Sequence, residues 1–201
     1  AKTEGSVAAP TAGRHFTPEV MAALQENGID WEEVTLHVGA GTFKPVDANT
    51  LGGHTMHREF FTVSRSLVER LRDQLEAGKP IVSVGTTSLR CLESLFYLGA
   101  SFTVGKTAVV DGAVEVGQWV AEDPLLNSVN PLKAVTGLID LMHTNRLTEL
   151  SGYTQLLLTP FAKLKLADGL ITNFHQPRST LLLLVAAIVG DDWRRIYDYA
   201  L

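Results

Sequence analysis

Cysteine is almost missing from this sequence: Cys91 is alone among 201 residues. One thiol closes no intrachain disulfide and supports no thiolate metal site, so a disulfide scaffold is excluded and a reducing compartment is expected. Long hydrophobic runs are missing too. The greasiest stretch, LLLLVAAIVG from Leu181, ends after ten residues, far short of the roughly 20 that span a bilayer. A buried helix is the better reading, and no membrane association is expected. The opening AKTEGSVAAPTAG has no apolar core of the kind a secretory signal carries. Charge of one sign is scarce: a formal net charge of −5 argues against a globally basic nucleic-acid binder while leaving room for a local basic face. Repeats and low-complexity tracts are absent as well.

What is present is the composition of a folded α/β chain, with 45% apolar residues, 19% charged residues and 17 glycines. The length suffices to bury a substantial core. Thr17 and Pro18 open a helix that Gly28 stops. WEEVTLHVG reads as a short strand, and SRSLVERLRDQLEAG as a helix capped by Ser64. Ile81–Val84 reads as a buried strand, followed by a turn at Gly85 and a helix capped by Thr86 or Thr87. Residues 101–129 are less regular, with a turn signal at Asp111-Gly112. A helix from Pro131, strands at TQLLLTP and DGLITN, and helices over 179–189 and 191–201 complete the chain. Strands alternating with helices predict a barrel-like or largely parallel sheet with surrounding helices, in one α/β domain over residues 1–201. The abrupt start and the end inside YDYAL read as part of a longer protein.

Reactive residues cluster at predicted strand ends, where α/β folds place their sites. Five of the six histidines, His15, His37, His54, His57 and His175, lie in such segments. APTAGRHFT sets Thr11, His15 and Phe16 before a helix start whose amides suit an anion or make an ordinary capped loop. TLHVGAGTF ends a strand at His37 and continues through Gly39, Gly41, Thr42 and Phe43. Its G-x-G lacks the third glycine of a dinucleotide fingerprint, so a Rossmann site is not expected, although glycines let backbone approach a ligand. HTMHREFF gathers His54, His57 and Glu59. On a strand His57 and Glu59 share a face, and on a helix His54 and His57 do; either gives a histidine with a carboxylate for acid–base work. Two histidines and one acid without an H-E-x-x-H frame make a weak metal set, and a solvated cluster is the plain alternative.

SVGTTSLRCLES offers Thr86 and Thr87 at a strand-to-helix junction, with Arg90 and Glu93 a turn later. Hydroxyls and free amides there suit a phosphate, carboxylate or ribose, while Arg90 and Glu93 at i, i+3 also make a simple salt bridge. Cys91 reads as a small buried hydrophobe. LITNFHQPRST repeats the architecture with Asn173 and His175 in a turn, Arg178 at the helix mouth for an anion, and Ser179 or Thr180 as cap.

Taken together, GSVAAPTAGRHFT, VTLHVGAGTFKPV, HTMHREFF, VGTTSLRCLES and DGLITNFHQPRSTLLLLVAAIVG resemble, in order, the signature blocks of the S-adenosylmethionine:tRNA ribosyltransferase-isomerase family. The resemblance implies transfer of the ribosyl part of S-adenosylmethionine to preQ1 at the tRNA wobble position. Rearrangement then gives epoxyqueuosine, with adenine and methionine released. It implies S-adenosyl-L-methionine as ribosyl-donating co-substrate, no metal, tRNA as partner, a cytoplasmic setting and a monomer at full length. It also implies an α/β barrel-like domain with a small inserted β-barrel. The residues it points to are Thr11, His15, Phe16, His37, Gly39, Gly41, Thr42, Phe43, His54, His57, Glu59, Thr86, Thr87, Arg90, Glu93, Asn173, His175, Ser179 and Thr180, with catalysis expected from His37, His57, Glu59 and His175.

This sequence departs from the family pattern in several places. The N-terminal third with its inserted domain and a C-terminal block have no counterpart here. Arg14 stands where leucine is usual, and TPFAKLKLADG replaces a Pro-Gly-aromatic turn. Residues 1–201 are therefore expected to be part of a larger catalytic domain, inactive and prone to self-association when isolated. Two other readings stay open: a non-catalytic S-adenosylmethionine- or RNA-binding paralogue, and a metal-dependent hydrolase built on His54, His57 and Glu59.

Overall fold

A computed structural model describes residues 11–37, 51–106, 109–110, 113–176 and 179–200. In chain order the regular elements are α1 (Pro18–Glu26), β1 (Thr35–His37), β2 (Glu59–Ser64), α2 (Arg65–Glu76), β3 (Val82–Val84) and α3 (Thr86–Thr103). They continue with β4 (Val109–Val110), β5 (Ala113–Val116), α4 (Pro124–Asn127), α5 (Pro131–Thr144), β6 (Glu149–Thr154), β7 (Gly169–Ile171), α6 (Thr180–Val189) and α7 (Asp192–Ala200).

Capping chemistry explains the helix starts. The side chains of Thr17, Ser64, Asn130 and Ser179 each accept an amide hydrogen bond from the first turn of α1, α2, α5 and α6. Proline at the first position of α1 and α5 loses nothing, because its missing N–H would have had no helical partner. Gly85 begins α3 differently. Its φ of +95° is open to glycine and strained for other residues, and no side chain caps the helix. Neither Thr86 nor Thr87 is therefore the cap; both lie inside the first turn.

The chain is α/β, as its alternating pattern predicts, but its strands pair in two ways. A five-stranded sheet runs β1-β2-β6-β5-β4, and only its β5/β6 pair is parallel. A separate two-stranded sheet pairs β3 with β7 in parallel. Among the described residues no sheet closes into a barrel. The predominantly parallel pairing expected from the helix–strand alternation is thus met at two junctions. It fails at β1–β2, β2–β6 and β4–β5, which are antiparallel; only the last is explained by the irregular stretch after α3, which holds a β4–β5 hairpin instead of a helix. The strand expected at TQLLLTP lies earlier, at Glu149–Thr154. Beyond Thr154 its partner β5 has ended, and only Gln155 and Leu157 still donate backbone bonds, to Val116 and Gln118. The β3 strand is less buried than its apolar sequence suggests, with Val82 53% exposed.

Alternation along β2 turns Glu59, Phe61 and Val63 to one buried face. Phe61 and Val63 join Leu89, Phe96, Leu138 and Met142 in the core that α2, α3 and α5 lay over the large sheet. The helices α3 and α5 cross at small residues. A Cβ on Gly99 would overlap the carbonyl of Ala134, and one on Gly137 would meet Thr103 Oγ1. The α6 helix covers the core with Leu181 and Leu184, while Leu182, Leu183 and Val185 are only half-buried.

Alanine at position 99 separates two opposing effects. Helix propensity favours it by about 1 kcal/mol, whereas the backbone collision costs more, about 1–3 kcal/mol net of relaxation. Gly99→Ala is expected to lower the urea midpoint of the chain, and an unchanged or raised midpoint would show that the two helices are not in contact there.

Candidate active site around Glu59, Arg90 and His57

Strand periodicity places Glu59 where a hydrophobic residue would ordinarily sit, and its side chain is 0% exposed. A bare carboxylate there is untenable, because desolvating an ion costs several kcal/mol. The compensation comes from α3, whose Arg90 is 2% exposed and directs Nη2 onto Glu59 Oε2. On the other carboxylate oxygen, His57 Nε2 lies 2.8 Å from Glu59 Oε1. Arg90 Nη2 is 3.4 Å from the same imidazole nitrogen. Only donors project from a guanidinium, so the shorter contact decides the tautomer: Nε2 carries the proton and donates to Glu59, leaving Nδ1 as an acceptor.

Burial first, and then the Arg90 charge, lower the His57 pKa from 6.5 to about 4. At neutral pH the ring is uncharged and its contact with Glu59 is a hydrogen bond, not an ion pair. Burial also pulls Arg90 down to about 10, which leaves it charged at neutral pH. Among the described residues, the Nε and Nη1 atoms of Arg90 have no acceptor. Two buried donors are thus available to a bound acceptor.

Glutamines fix the segment leading to His57. Gln118 donates to the His54 carbonyl at 2.7 Å and accepts from the Met56 amide at 2.9 Å, and Gln155 donates to the Met56 carbonyl at 2.7 Å. Behind Arg90, Ser94 Oγ donates to the Arg90 carbonyl and meets Thr154 Oγ1, each at 2.7 Å. Thr154 pairs in register with Glu59. The two glutamines and the Ser94–Thr154 contact are long-range features with no local signal in the sequence.

A second group forms at the carboxyl ends of β3 and β7, where Gly85 N donates to the Ile171 carbonyl at 2.9 Å. His175 Nε2 lies 3.0 Å from Thr172 Oγ1, its amide donates to the Tyr197 hydroxyl at 3.0 Å, and burial lowers its pKa. Asn173 Nδ2 lies 3.3 Å from His15 Nε2, which joins the N-terminal segment to this turn. Phe174 is 61% exposed and edge-on to Tyr197. Thr86 is buried and Thr87 half-buried beside the uncapped start of α3.

The other predicted residues fall around these two groups. Thr11 precedes the short 3-10 helix that ends at His15, and Phe16 packs on Trp31 at 4.9 Å. His37 packs on Phe60 of β2 at 5.4 Å. His54 reaches the cluster through its carbonyl. Ser179 Oγ caps α6, and Thr180 is buried in its first turn. Gly39, Gly41, Thr42, Phe43 and Arg178 lie outside the described residues. The i, i+3 salt bridge between Arg90 and Glu93 does not form. Arg90 turns to Glu59, whereas Glu93 accepts backbone N–H groups from Lys165, Leu166 and Ala167. Burial of Cys91 pushes its thiol up to about 12, which fits the packing role.

Among the described residues no three His, Cys, Asp or Glu side chains converge as a metal-binding group, and no helix is long and apolar enough to cross a membrane. A cavity of about 600 Å³ between the far end of α3 and the start of α5, lined by residues such as Phe102, Asn130 and Lys133, contains none of the predicted site residues.

A buried acid, base and cation beside the carboxyl ends of parallel strands define the chain as an α/β protein with an enzyme-like polar site. Comparison with known proteins gives the family. The queuosine biosynthesis protein family matches residues 1–201, and the chain belongs to it. It is 39% identical over 193 residues to the S-adenosylmethionine:tRNA ribosyltransferase-isomerase of Thermotoga petrophila, covering 96% of this chain and 44% of that protein. The enzyme of the same name from Aromatoleum aromaticum is 37% identical over all 201 residues, which make up 45% of its length. The crystal structure of S-adenosylmethionine tRNA ribosyltransferase from Thermotoga maritima superposes with a TM-score of 0.55 at 32% identity, covering 94% of this chain and 45% of that one. The chain therefore spans a little under half the length of these relatives.

The lowered imidazole pKa has a measurable consequence. As pH falls the unfolded chain takes the His57 proton first, near 6.5, and the folded chain only near 4. The stability this burial supports is complete above about 6.5 and is lost as pH drops toward about 4; His175 acts with the same sign. NMR titration is expected to find His57 neutral at pH 6 with the proton on Nε2, and a midpoint near 6.5 or above would refute this electrostatic account.

Proposed function

We propose that this chain carries part of the active site of a transferase-isomerase that moves the ribosyl moiety of S-adenosylmethionine onto preQ1 at the wobble position of tRNA. The support is the convergence of His57, Glu59 and Arg90 in one buried cluster, in a chain whose relatives bear that enzyme's name. In this reading residues 1–201 form one α/β domain, completed by segments corresponding to the rest of the relatives. A reaction on tRNA accords with the cytoplasmic setting expected from the lone cysteine.

His57 is the catalytic acceptor. Its Nδ1 accepts a hydrogen bond from an N–H of the preQ1 aminomethyl group and so orients that amine. A ring with a pKa of about 4 is too weakly basic to remove a proton from carbon beside a sulfonium. That favours the amine over the carbon as its partner. Glu59 does not touch substrate in this scheme; it fixes the tautomer and balances Arg90. Arg90 Nε and Nη1, which have no acceptor among the described residues, donate to oxygen or nitrogen acceptors on S-adenosylmethionine.

The second group contributes binding. The uncapped amides of α3, with the Thr86 and Thr87 hydroxyls, suit the methionine carboxylate. Asn173, His175 and His15 face the polar edge of the nucleoside, and Phe16 or Phe174 supplies an aromatic surface. Ser179 and Thr180 start the helix behind the turn, and His37 packs on Phe60 of β2. Gly39, Gly41, Thr42, Phe43, His54 and Arg178 complete the proposed binding set by position in sequence. No metal enters the scheme.

Adenine release from S-adenosylmethionine, with preQ1-tRNA as acceptor, tests the proposal in the protein that carries this chain. His57→Ala is expected to slow release by roughly tenfold, the scale of one lost hydrogen bond, at unchanged S-adenosylmethionine affinity. Full turnover by that variant overturns the role of His57, and no adenine from the unsubstituted protein overturns the activity itself.

A further inference from the structure

Helix α3 carries a second buried charge, one turn beyond Arg90, that the reaction scheme does not use. Glu93 is 0% exposed, and its carboxylate is committed to backbone. Oε2 accepts from the Lys165 amide at 2.7 Å, and Oε1 accepts from Leu166 at 3.0 Å and Ala167 at 2.9 Å. Three consecutive amides on one carboxylate fix the path of a non-helical, non-strand segment, and such charge-assisted bonds are stronger than neutral ones.

The segment so held leads directly into β7. Asp168 follows it, its amide donating to the Ile81 carbonyl at 2.8 Å and its Oδ2 accepting from the Ile81 amide at 2.9 Å. Those two bonds set the register that continues as Val82–Gly169, Ser83–Leu170 and Val84–Ile171. With only three residues in β7, the strand has little length of its own to define where it ends. Its far end carries Thr172, Asn173 and His175. At this same, carboxyl end of the parallel pair, Gly85 leads into α3 and its amide donates to the Ile171 carbonyl. The structure therefore closes a loop: α3 begins beside the turn that holds Asn173 and His175, and through Glu93 the same helix grips the segment from which that turn's strand departs.

We propose that Glu93 is a positioning residue, which sets the register of β7 and thereby places Asn173 and His175 against the start of α3. This rests on the reading of that turn as part of the substrate site, but its geometric content is separate. Glutamine at position 93 retains one acceptor oxygen and loses the charge and the second acceptor. The bonds to Lys165, Leu166 and Ala167 should then weaken together and β7 should shift with them. Neighbouring elements that do not depend on β7, above all His57 on the β2 side, should stay where they are.

The experiment is NMR of the protein that carries this chain and of its Glu93→Gln and Glu93→Asp variants, with hydrogen exchange followed at residues 165–167. In the unsubstituted chain these three amides are expected to be protected to the same degree as Leu170. In Glu93→Gln their exchange should accelerate by about tenfold or more, the scale of one lost charge-assisted bond. The ring resonances of His175 and His15 should move, while those of His57 stay in place. Glu93→Asp, which keeps the charge on a shorter arm, should fall between the two. A merely structural role would lower the melting temperature of a folded Glu93→Gln chain without moving His175, and that result overturns the proposal. If Glu93→Gln does not fold, the aspartate variant and the protection of residues 165–167 in the unsubstituted chain decide the matter; unprotected amides there overturn it. Titration with S-adenosylmethionine separates the two levels. Binding by the unsubstituted chain that weakens about tenfold in Glu93→Gln supports the link to the substrate site. No binding by either chain counts against the functional reading alone, because the His175 shifts still decide the positioning role.

Discussion

Glu59 shares a face of β2 with Phe61 and Val63, and the charge at that position is balanced by Arg90, which reaches it from α3. The other features of the site depend on this pairing. Strand alternation fixes where the carboxylate points, and the helix fixes where the guanidinium starts. The pair thus ties the large sheet to α3 at one register. Removing either partner leaves a buried charge without its counter-ion, which is far more costly than never having built the pair. His57 borrows from the same arrangement. It donates to the carboxylate through Nε2 while the adjacent cation and burial keep it from protonating. A neutral, oriented imidazole is the result, and it is what an acceptor for an amine requires.

The helix that supplies Arg90 organises most of what surrounds it. Its uncapped start at Gly85 lies beside the end of β7, Ser94 ties it to Thr154 across from Glu59, and Glu93 holds the segment that enters β7. At its far half, Gly99 lets α5 approach to backbone contact. Stiffness is the physical outcome: polar groups on one face of α3 connect to both sheets, while its apolar face is packed in the core. Such a scaffold can keep separated side chains in fixed relation, which catalysis by positioning requires.

Much of this was legible in the residues. Thr17, Ser64, Pro131 and Ser179 announce their helices because capping is local chemistry that leaves a local mark. A contact between His57 and Glu59 was one of two readings open for HTMHREFF; the structure brings them to 2.8 Å, with His57 just before β2 rather than in it. Partners of the charges were not legible. Arg90 and Glu93 lie three apart on one helix, so pairing with each other was as reasonable locally as the long-range contacts they make. Nothing in the sequence says that Arg90 will find Glu59, 31 positions away, or that Glu93 will find amides more than 70 positions away. Strand direction was hidden for the same reason: β2 meets β6 from far along the chain, and nothing local in either stretch says that the pair is antiparallel.

The account stands on the coupling between Glu59 and Arg90, and a double-mutant cycle measures it directly. Urea unfolding of Glu59→Gln, Arg90→Met and the double variant, each against the unsubstituted chain, gives the interaction free energy. Each single change is expected to cost about 3–5 kcal/mol, with the double variant well short of their sum and a coupling of at least about 2 kcal/mol. Costs that add to within about 0.5 kcal/mol would mean that the two side chains do not sense each other, and the organisation described for this site would be wrong.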